Sequence, residues 1–125
     1  MQADLLHTRT GLCDGTAVVS LEGELDVTTA QPVIHAVAWA LRERPEQLDL
    51  DVTKLDFCDA AGLRALLWAR RMANVQHVEF RLAGAGPQLR HLLVLLRATS
   101  LLMPSPPLTA PHASAGGAVR EPPRR

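Results

Sequence analysis

Three segments of the chain alternate apolar and polar residues with a period of two. Strict alternation is typical of strands that bury one face and leave the other in water. A weaker segment over residues 5–10 precedes a Cys13-Asp14-Gly15 turn and would form a hairpin with the next strand. We therefore predict about four strands. The apolar positions of the three clear strands are Ala17, Val19 and Leu21, then Leu48, Leu50 and Val52, and finally Val78, Phe80 and Leu82.

Between the strands, apolar residues recur at the spacing of amphipathic helices. Helices are predicted over residues 30–43 and 59–74, and a third begins at Pro87. Right-handed crossovers in a β-β-α-β-α-β-α order would place the helices on the same side of the sheet. We predict an α/β fold, a mixed sheet of about four strands with helices packed mainly on one face. The predicted buried stripes are Ala30, Ile34, Val37 and Leu41, then Leu63, Leu66, Leu67 and the stem of Arg70, and finally Leu89, Leu92, Leu93 and Leu96.

Composition divides the 125 residues into a domain and a tail. Residues 1–103 carry all the periodic segments and are enough for one domain with its own core. From Pro104 onward, prolines mix with serine and glycine, and no apolar period remains. We predict a folded domain over residues 1–103 and a disordered Pro-rich tail over residues 104–125.

Charge and cysteine content argue against several classes of function. Lys and Arg together number 13, as do Asp and Glu, so the basic excess of a nucleic-acid binder or a membrane-surface protein is missing. Cys13 and Cys58 are too few for a disulfide framework and too isolated for a zinc site. No apolar run approaches the ~20 residues of a membrane helix, and no signal-peptide pattern opens the sequence. We expect a cytoplasmic protein without metal, cofactor, nucleic acid or direct membrane contact.

The junction Asp59-Ala60-Ala61-Gly62-Leu63 lies where a strand ends and the second helix begins. A hydroxyl at such a junction would suit regulated phosphate chemistry, because helix amides lie close to it. The two positions where a hydroxyl would be useful are alanine. Asp59 is placed to cap the helix, and Gly62 is compatible both with close approach of a partner and with close helix packing.

Further motifs accompany this junction. In order along the chain they are Leu21-Glu22-Gly23-Glu24-Leu25-Asp26, Thr29-Ala30, Leu50-Asp51-Val52, residues 57–63 and Leu82-Ala83-Gly84. Together they resemble the STAS domain of bacterial anti-sigma factor antagonists, over roughly residues 4–103. The resemblance implies a STAS fold and a small protein that binds an anti-sigma factor, itself a serine kinase. Such binding frees the sigma factor and so regulates transcription.

The resemblance also implies a lost switch. In that family, phosphorylation of a serine in an Asp-Ser-Ser/Thr-Gly-Leu motif turns the domain off, and Ala60 matches the phospho-acceptor. Ala61 offers no substitute. The residue that matches Asp26 lies near this loop, which implies a surface or loop-ordering role. We hypothesise a permanently unphosphorylated, binding-competent protein. Thr53 is the hydroxyl nearest to this loop and is the residue to watch for phosphorylation.

Other functions remain open beside this one. One alternative is a STAS accessory subunit that docks on the ATPase of a lipid-transport ABC system. The other is a scaffold subunit of a signalling assembly. Catalysis is not expected, because Asp26, Asp51 and Asp59 have no histidine at useful spacing. The chain also lacks a nucleophile motif and a Gly-rich phosphate loop.

The helix after the junction adds a candidate contact surface. At ~100° per residue, Ala61, Arg64, Trp68 and Arg71 lie together, away from the predicted buried stripe. Trp and Arg are enriched at interface hot spots, although a tryptophan here could instead flank the core. Trp39, on the outer side of the first helix, is a candidate for self-association. The predicted partner-binding residues are Asp26, Asp59, Ala60, Ala61, Gly62, Leu63, Arg64 and Trp68.

Overall fold

The computed structural model describes residues 5–102. The tail predicted over residues 104–125 lies outside the described residues. Within them, the predicted order β-β-α-β-α-β-α is confirmed, and a short 3-10 helix follows at Thr99–Leu102. The elements are β1 (Leu6–Cys13), β2 (Thr16–Leu25), α1 (Ala30–Arg42), β3 (Gln47–Cys58), α2 (Ala60–Val75), β4 (Glu79–Ala83) and α3 (Pro87–Leu95).

The strands form one mixed sheet in the order β1-β2-β3-β4. β1 and β2 form an antiparallel hairpin, which turns through Asp14 and Gly15 at φ angles of 50° and 83°. Glycine and aspartate tolerate this left-handed region better than most residues. β2, β3 and β4 are parallel, with α1 and α2 as successive crossovers. Because both crossovers move in the same direction across the sheet, both helices cover the same face.

The core lies between that covered face and the helices. α1 packs over β1 and β2, and α2 packs mainly over β3 and β4. The alternating apolar residues of the strands are buried as predicted, except that Leu82 is half-buried. Burial of a Leu-sized side chain contributes ~2 kcal/mol, so this layer supplies most of the driving force for folding. The largest buried side chains include Phe80, Leu21, Leu25, Leu48, Leu50, Leu63, Leu66, Leu93 and Leu101.

The packing corrects parts of the predicted helix stripes. Leu67 on α2 is 36% exposed, because Leu63 and Leu66 together with small residues form the buried side of the helix. On α1, Ala30 and Ile34 are only half-buried. Leu96 is exposed because α3 ends at Leu95. The buried residues are Val33, Val37, Ala40 and Leu41 on α1, Gly62, Leu63, Ala65, Leu66, Ala69 and Ala73 on α2, and Leu89 and Leu93 on α3.

The opposite face of the sheet carries the polar residues that alternate with the core positions. Arg9, Ser20 and Asp51 are neighbours across β1, β2 and β3. Asp49 Oδ1 lies 4.0 Å from Arg81 Nε across β3 and β4. Partly exposed ion pairs of this kind contribute at most ~1 kcal/mol. This face is therefore chiefly a solvated surface, and the stability of the sheet comes from its other side.

Candidate functional site

The predicted junction forms the start of α2, at the end of the sheet where β2 and β3 finish. Asp59 is the N-cap residue, with an extended backbone (φ −107°, ψ −172°). Its Oδ1 accepts a hydrogen bond of 2.8 Å from the Gly62 amide. The predicted cap is thus confirmed. Replacement of such a cap by alanine typically costs ~1 kcal/mol.

Gly62 is buried against the end of β2. A Cβ atom added to it would lie 2.8 Å from Leu25 Cγ and would collide with the Leu25 carbonyl oxygen. Of the two interpretations that the sequence leaves open, the structure therefore supports close packing. The same Leu25 carbonyl accepts a hydrogen bond of 3.2 Å from the Asp59 amide. The start of α2 is thus fitted directly onto the last residue of β2.

The loop between β2 and α1 is organised by its own polar side chains. Asp26 Oδ1 accepts hydrogen bonds from the Thr28 hydroxyl (2.7 Å) and from the Thr28 amide (2.9 Å). These bonds, the hydroxyl's first among them, lower the pKa of Asp26 below its ordinary value of 3.8. Thr29, which is only 7% exposed, donates its hydroxyl to the Glu24 carbonyl (2.8 Å) and accepts from the Asp26 amide (2.9 Å). Asp26 therefore orders this loop, one of the two roles that the resemblance implies.

The register of the sheet brings these two loops together. Leu25 of β2 pairs with Cys58 of β3, so Asp26 and Asp59 each follow directly after a paired residue. The predicted site residues from the two loops are therefore neighbours at one end of the sheet. Their carboxylates are engaged within their own loops, which leaves the outer surface of the junction to the residues of α2.

The predicted contact residues differ in how far they can reach a partner. Ala60 and Arg64 are exposed, and Ala61 is half-buried. Leu63 is 2% exposed and belongs to the core, so its contribution to a surface would be indirect. Trp68 is half-buried and packs partly against the core. One part of the Trp68 side chain therefore flanks the core, and the other part is exposed where a partner could contact it.

A residue that the sequence does not reveal, Gln88, also contacts the junction. Its Oε1 accepts from the Cys58 amide (3.1 Å), and its Nε2 donates to the Cys58 carbonyl (3.0 Å). Two apolar side chains nearby in sequence, Val27 and Phe57, are exposed. Pro87 marks the start of α3 in the sequence, but no local pattern places that start against the end of β3.

Cys58 itself is not suited to nucleophilic chemistry. Burial, and secondarily the neighbouring Asp59 carboxylate, raise the pKa of its thiol to about 12. The thiol is therefore protonated at neutral pH, whereas the thiolate is the reactive form. Its place in the core makes it a small apolar packing group.

Thr53, which is the hydroxyl nearest to the junction along the sequence, lies well back along β3. Thr53 lies five residues before the end of β3, which corresponds to about 16 Å along the strand. Its hydroxyl donates to Asp51 Oδ1 (2.6 Å). The pairing of Leu25 with Cys58 places the β2–α1 loop, which carries the exposed Thr28, beside the junction, and phosphorylation at Thr53 stays a prediction.

Trp39 lies where the sequence predicts, on the outer side of α1. It is 50% exposed and lines a shallow groove with His35 of α1 and with Thr8 and Thr10 of β1. One exposed tryptophan is ordinary on a protein surface. Self-association through Trp39 stays a prediction.

Residues 5–102 offer neither a metal site nor a membrane-spanning helix. No three His, Cys, Asp or Glu side chains of that range are grouped so that they could hold a metal ion. No helix in the same range has both the length and the apolar character needed to cross a bilayer.

Comparison with known proteins places these features in a family. The family model described as "Mlab, STAS domain" matches residues 9–104. The anti-sigma-F factor antagonist RsfB of Mycobacterium tuberculosis is 28% identical over 83 residues, which are 66% of this chain and 67% of RsfB.

Solved structures agree with the fold. An anti-sigma factor antagonist from Mycobacterium paratuberculosis superposes with a TM-score of 0.70 at 24% identity, over 82% of this chain and 88% of that protein. The phosphorylated form of the Bacillus cell fate determinant SpoIIAA gives a TM-score of 0.61 at 18% identity, over 78% and 89% of the two chains. The predicted mixed-sheet α/β fold is therefore confirmed.

Proposed function

The chain belongs to the STAS-domain family and is similar to anti-sigma factor antagonists, and we propose that it binds an anti-sigma factor of the serine kinase type. The similarity to anti-sigma factor antagonists supports this partner, and the exposed Ala60 at the first position of α2, next to the capping Asp59, supports binding without a phosphorylation switch at this residue. In this position the family's motif has a serine. Binding, rather than catalysis, is the proposed activity.

The physical consequence of the alanine is that no phosphate can be attached to the docking surface at residue 60. A phosphate at residue 60 would add about −1.5 to −2 charges beside the Asp59 carboxylate. It would also have to be desolvated when a partner docked, so it would weaken docking. Ala60 has no oxygen to accept a phosphate. We propose that the protein is permanently competent to bind.

The proposed docking surface is formed by the β2–α1 loop at Asp26, the junction at Asp59 and Ala60, and the outer side of α2. Arg64 is exposed one helical turn after Ala60, and the half-buried Trp68 follows one turn later. An aromatic ring anchored against the core and presented at the surface loses little conformational freedom on binding, which suits an interface hot spot. Leu63 and Gly62 would hold this surface in place from the core side.

The experiment combines binding and phosphorylation. The purified protein is mixed with each kinase-type anti-sigma factor encoded in the same genome, with and without ATP, and the complex is measured by gel filtration and calorimetry. We expect a complex that persists in ATP, with no phosphate at residue 60. The variant Ala60→Ser is expected to accept phosphate and to dissociate in ATP.

Two results would overturn this proposal. One is that no anti-sigma factor binds. The other is that the wild-type protein is phosphorylated elsewhere, for example at Thr28 or Thr53, and is released as a result. In that case the switch would have moved rather than disappeared.

A second candidate function is an accessory subunit that docks on the ATPase of a lipid-transport ABC system. The same observation favours it, because a permanent subunit needs no phospho-acceptor at residue 60. Affinity purification of the tagged protein from its own cells separates the two. Recovery of a transporter ATPase without any anti-sigma kinase would favour the second candidate.

A further inference from the structure

The last part of β3 extends beyond the end of its pairing with β4. β3 pairs with β4 only as far as Asp51, opposite Ala83, whereas its pairing with β2 continues to Cys58, opposite Leu25. In the described part of the chain, β3 therefore has no strand beside its β4-side edge over residues 52–58. Backbone donors and acceptors on that edge need other partners.

The side chain of Gln88 supplies such partners at the final residue. A primary amide has one acceptor and two donors, and here it binds both backbone groups of Cys58, as a neighbouring strand residue would. On the other side of the strand, the Asp59 amide donates to the Leu25 carbonyl. The end of β3 is therefore held from both edges immediately before Ala60.

Gln88 projects from a base that is itself fixed. The Gly84 backbone, at φ 81°, packs so closely on β3 that an added Cβ would lie 2.9 Å from Thr53 Cα and would collide with its hydroxyl oxygen. Arg90 Nε donates to the Ala85 carbonyl (3.1 Å) and so closes the loop before α3. Leu89 and Leu93 anchor the helix in the core. The start of α3 is thus well anchored, and from it the Gln88 side chain contacts the backbone of Cys58.

We propose that Gln88 is a positioning residue for the junction at Asp59 and Ala60. Its amide fixes the end of β3 and thereby the direction in which the N-terminus of α2 is presented. This inference deepens the proposed function and rests on it for the consequence in binding. The consequence for the local backbone holds whether or not the partner is an anti-sigma factor.

Amide hydrogen exchange on the full 125-residue chain tests the local part. Gln88→Met keeps the length and helix propensity of the side chain but can neither donate nor accept these bonds. We expect the Cys58 amide, and with it the amides of Asp59 and Gly62, to exchange about tenfold faster or more. Gln88→Glu keeps the acceptor for the Cys58 amide and is expected to show a smaller acceleration. Gln76→Ala, at the exposed opposite end of α2, is the matched control and should leave these amides unchanged.

The same measurement separates positioning from general stability. Amides at the centre of the sheet, such as those of Val19 and Leu50, should keep their rates within about twofold in Gln88→Met. An unchanged Cys58 amide, or an acceleration that spreads equally to Val19 and Leu50, would overturn the inference.

Affinity for a kinase-type anti-sigma factor that binds the wild-type chain tests the consequence for docking. Loss of two partly exposed hydrogen bonds should weaken binding about fivefold to tenfold in Gln88→Met. Unchanged affinity together with faster local exchange would refute the docking role. If no anti-sigma factor binds the wild-type protein, the proposed function fails, and the exchange data still decide whether Gln88 holds the strand end.

Discussion

Two strand-to-helix junctions lie side by side at one end of the sheet, and they are stabilised in different ways. The β2–α1 junction is closed by its own side chains, since the Asp26 carboxylate and the Thr29 hydroxyl bind backbone groups of the same loop. The β3–α2 junction has one such bond, from the Gly62 amide to the Asp59 carboxylate, and is also held by groups from elsewhere, namely the Leu25 carbonyl and the Gln88 amide. Because the Leu25 and Gln88 groups bind the strand edges of this junction, its outer surface stays exposed, and Ala60 lies on that surface.

The largest effect is expected at the contact between the two junctions. In a solvent-exposed helix, Gly→Ala is stabilising by about 1 kcal/mol. For Gly62→Ala we expect the opposite sign, a loss of about 2 kcal/mol or more, because the new methyl group would force Leu25 and α2 apart. Urea denaturation measures this. Gly11→Ala is the control, since no atom lies within 4 Å of its added Cβ. Equal effects of the two variants would contradict the close contact.

The β2–α1 junction is expected to lose most stability when the buried hydroxyl of Thr29 is removed. Thr29→Val keeps the shape of the side chain but leaves the Glu24 carbonyl and the Asp26 amide without this partner. Because the site is buried, we expect a loss of about 1–3 kcal/mol in the free energy of unfolding. Thr28→Val, at the exposed neighbour, should cost less than about 0.5 kcal/mol. If Thr28→Val proved as costly as Thr29→Val, the loop would depend on its outer hydroxyl instead.

The contrast between the junctions also explains how far the sequence could be interpreted. The strands and the Asp59 cap depend on neighbours within a few residues, and the sequence predicts them correctly. The exposure of Leu67 was not predictable from hydropathy, because α2 completes its buried side with alanines and a glycine next to Leu63 and Leu66. The roles of Gly62 and Gln88 depend on contacts with Leu25 and Cys58, which are distant in the chain. Likewise, the sequence does not show that the register of β2 and β3 brings the β2–α1 loop, with Thr28, beside the junction.

The smallest effect concerns the charge of Asp26. Its pKa lies below 3.8 mainly because the Thr28 hydroxyl donates to the carboxylate, while burial acts in the opposite direction. A carboxyl whose pKa is lower in the folded state stabilises the fold at pH values above its unfolded pKa. That contribution disappears as the pH falls through the folded pKa, so the relevant window lies below about pH 4.

Titration of the Asp26 carboxyl by NMR measures this charge directly. We expect a midpoint below 3.8 in the wild-type protein and a higher midpoint in Thr28→Val, which removes the largest cause of the shift. Asp26→Asn should lose the corresponding pH dependence of stability below pH 4. An unchanged midpoint in Thr28→Val would mean that the backbone amides of Thr28 and Thr29 hold the carboxylate. The loop would then be closed by its backbone rather than by its hydroxyls, and the two junctions would differ less than their side chains indicate.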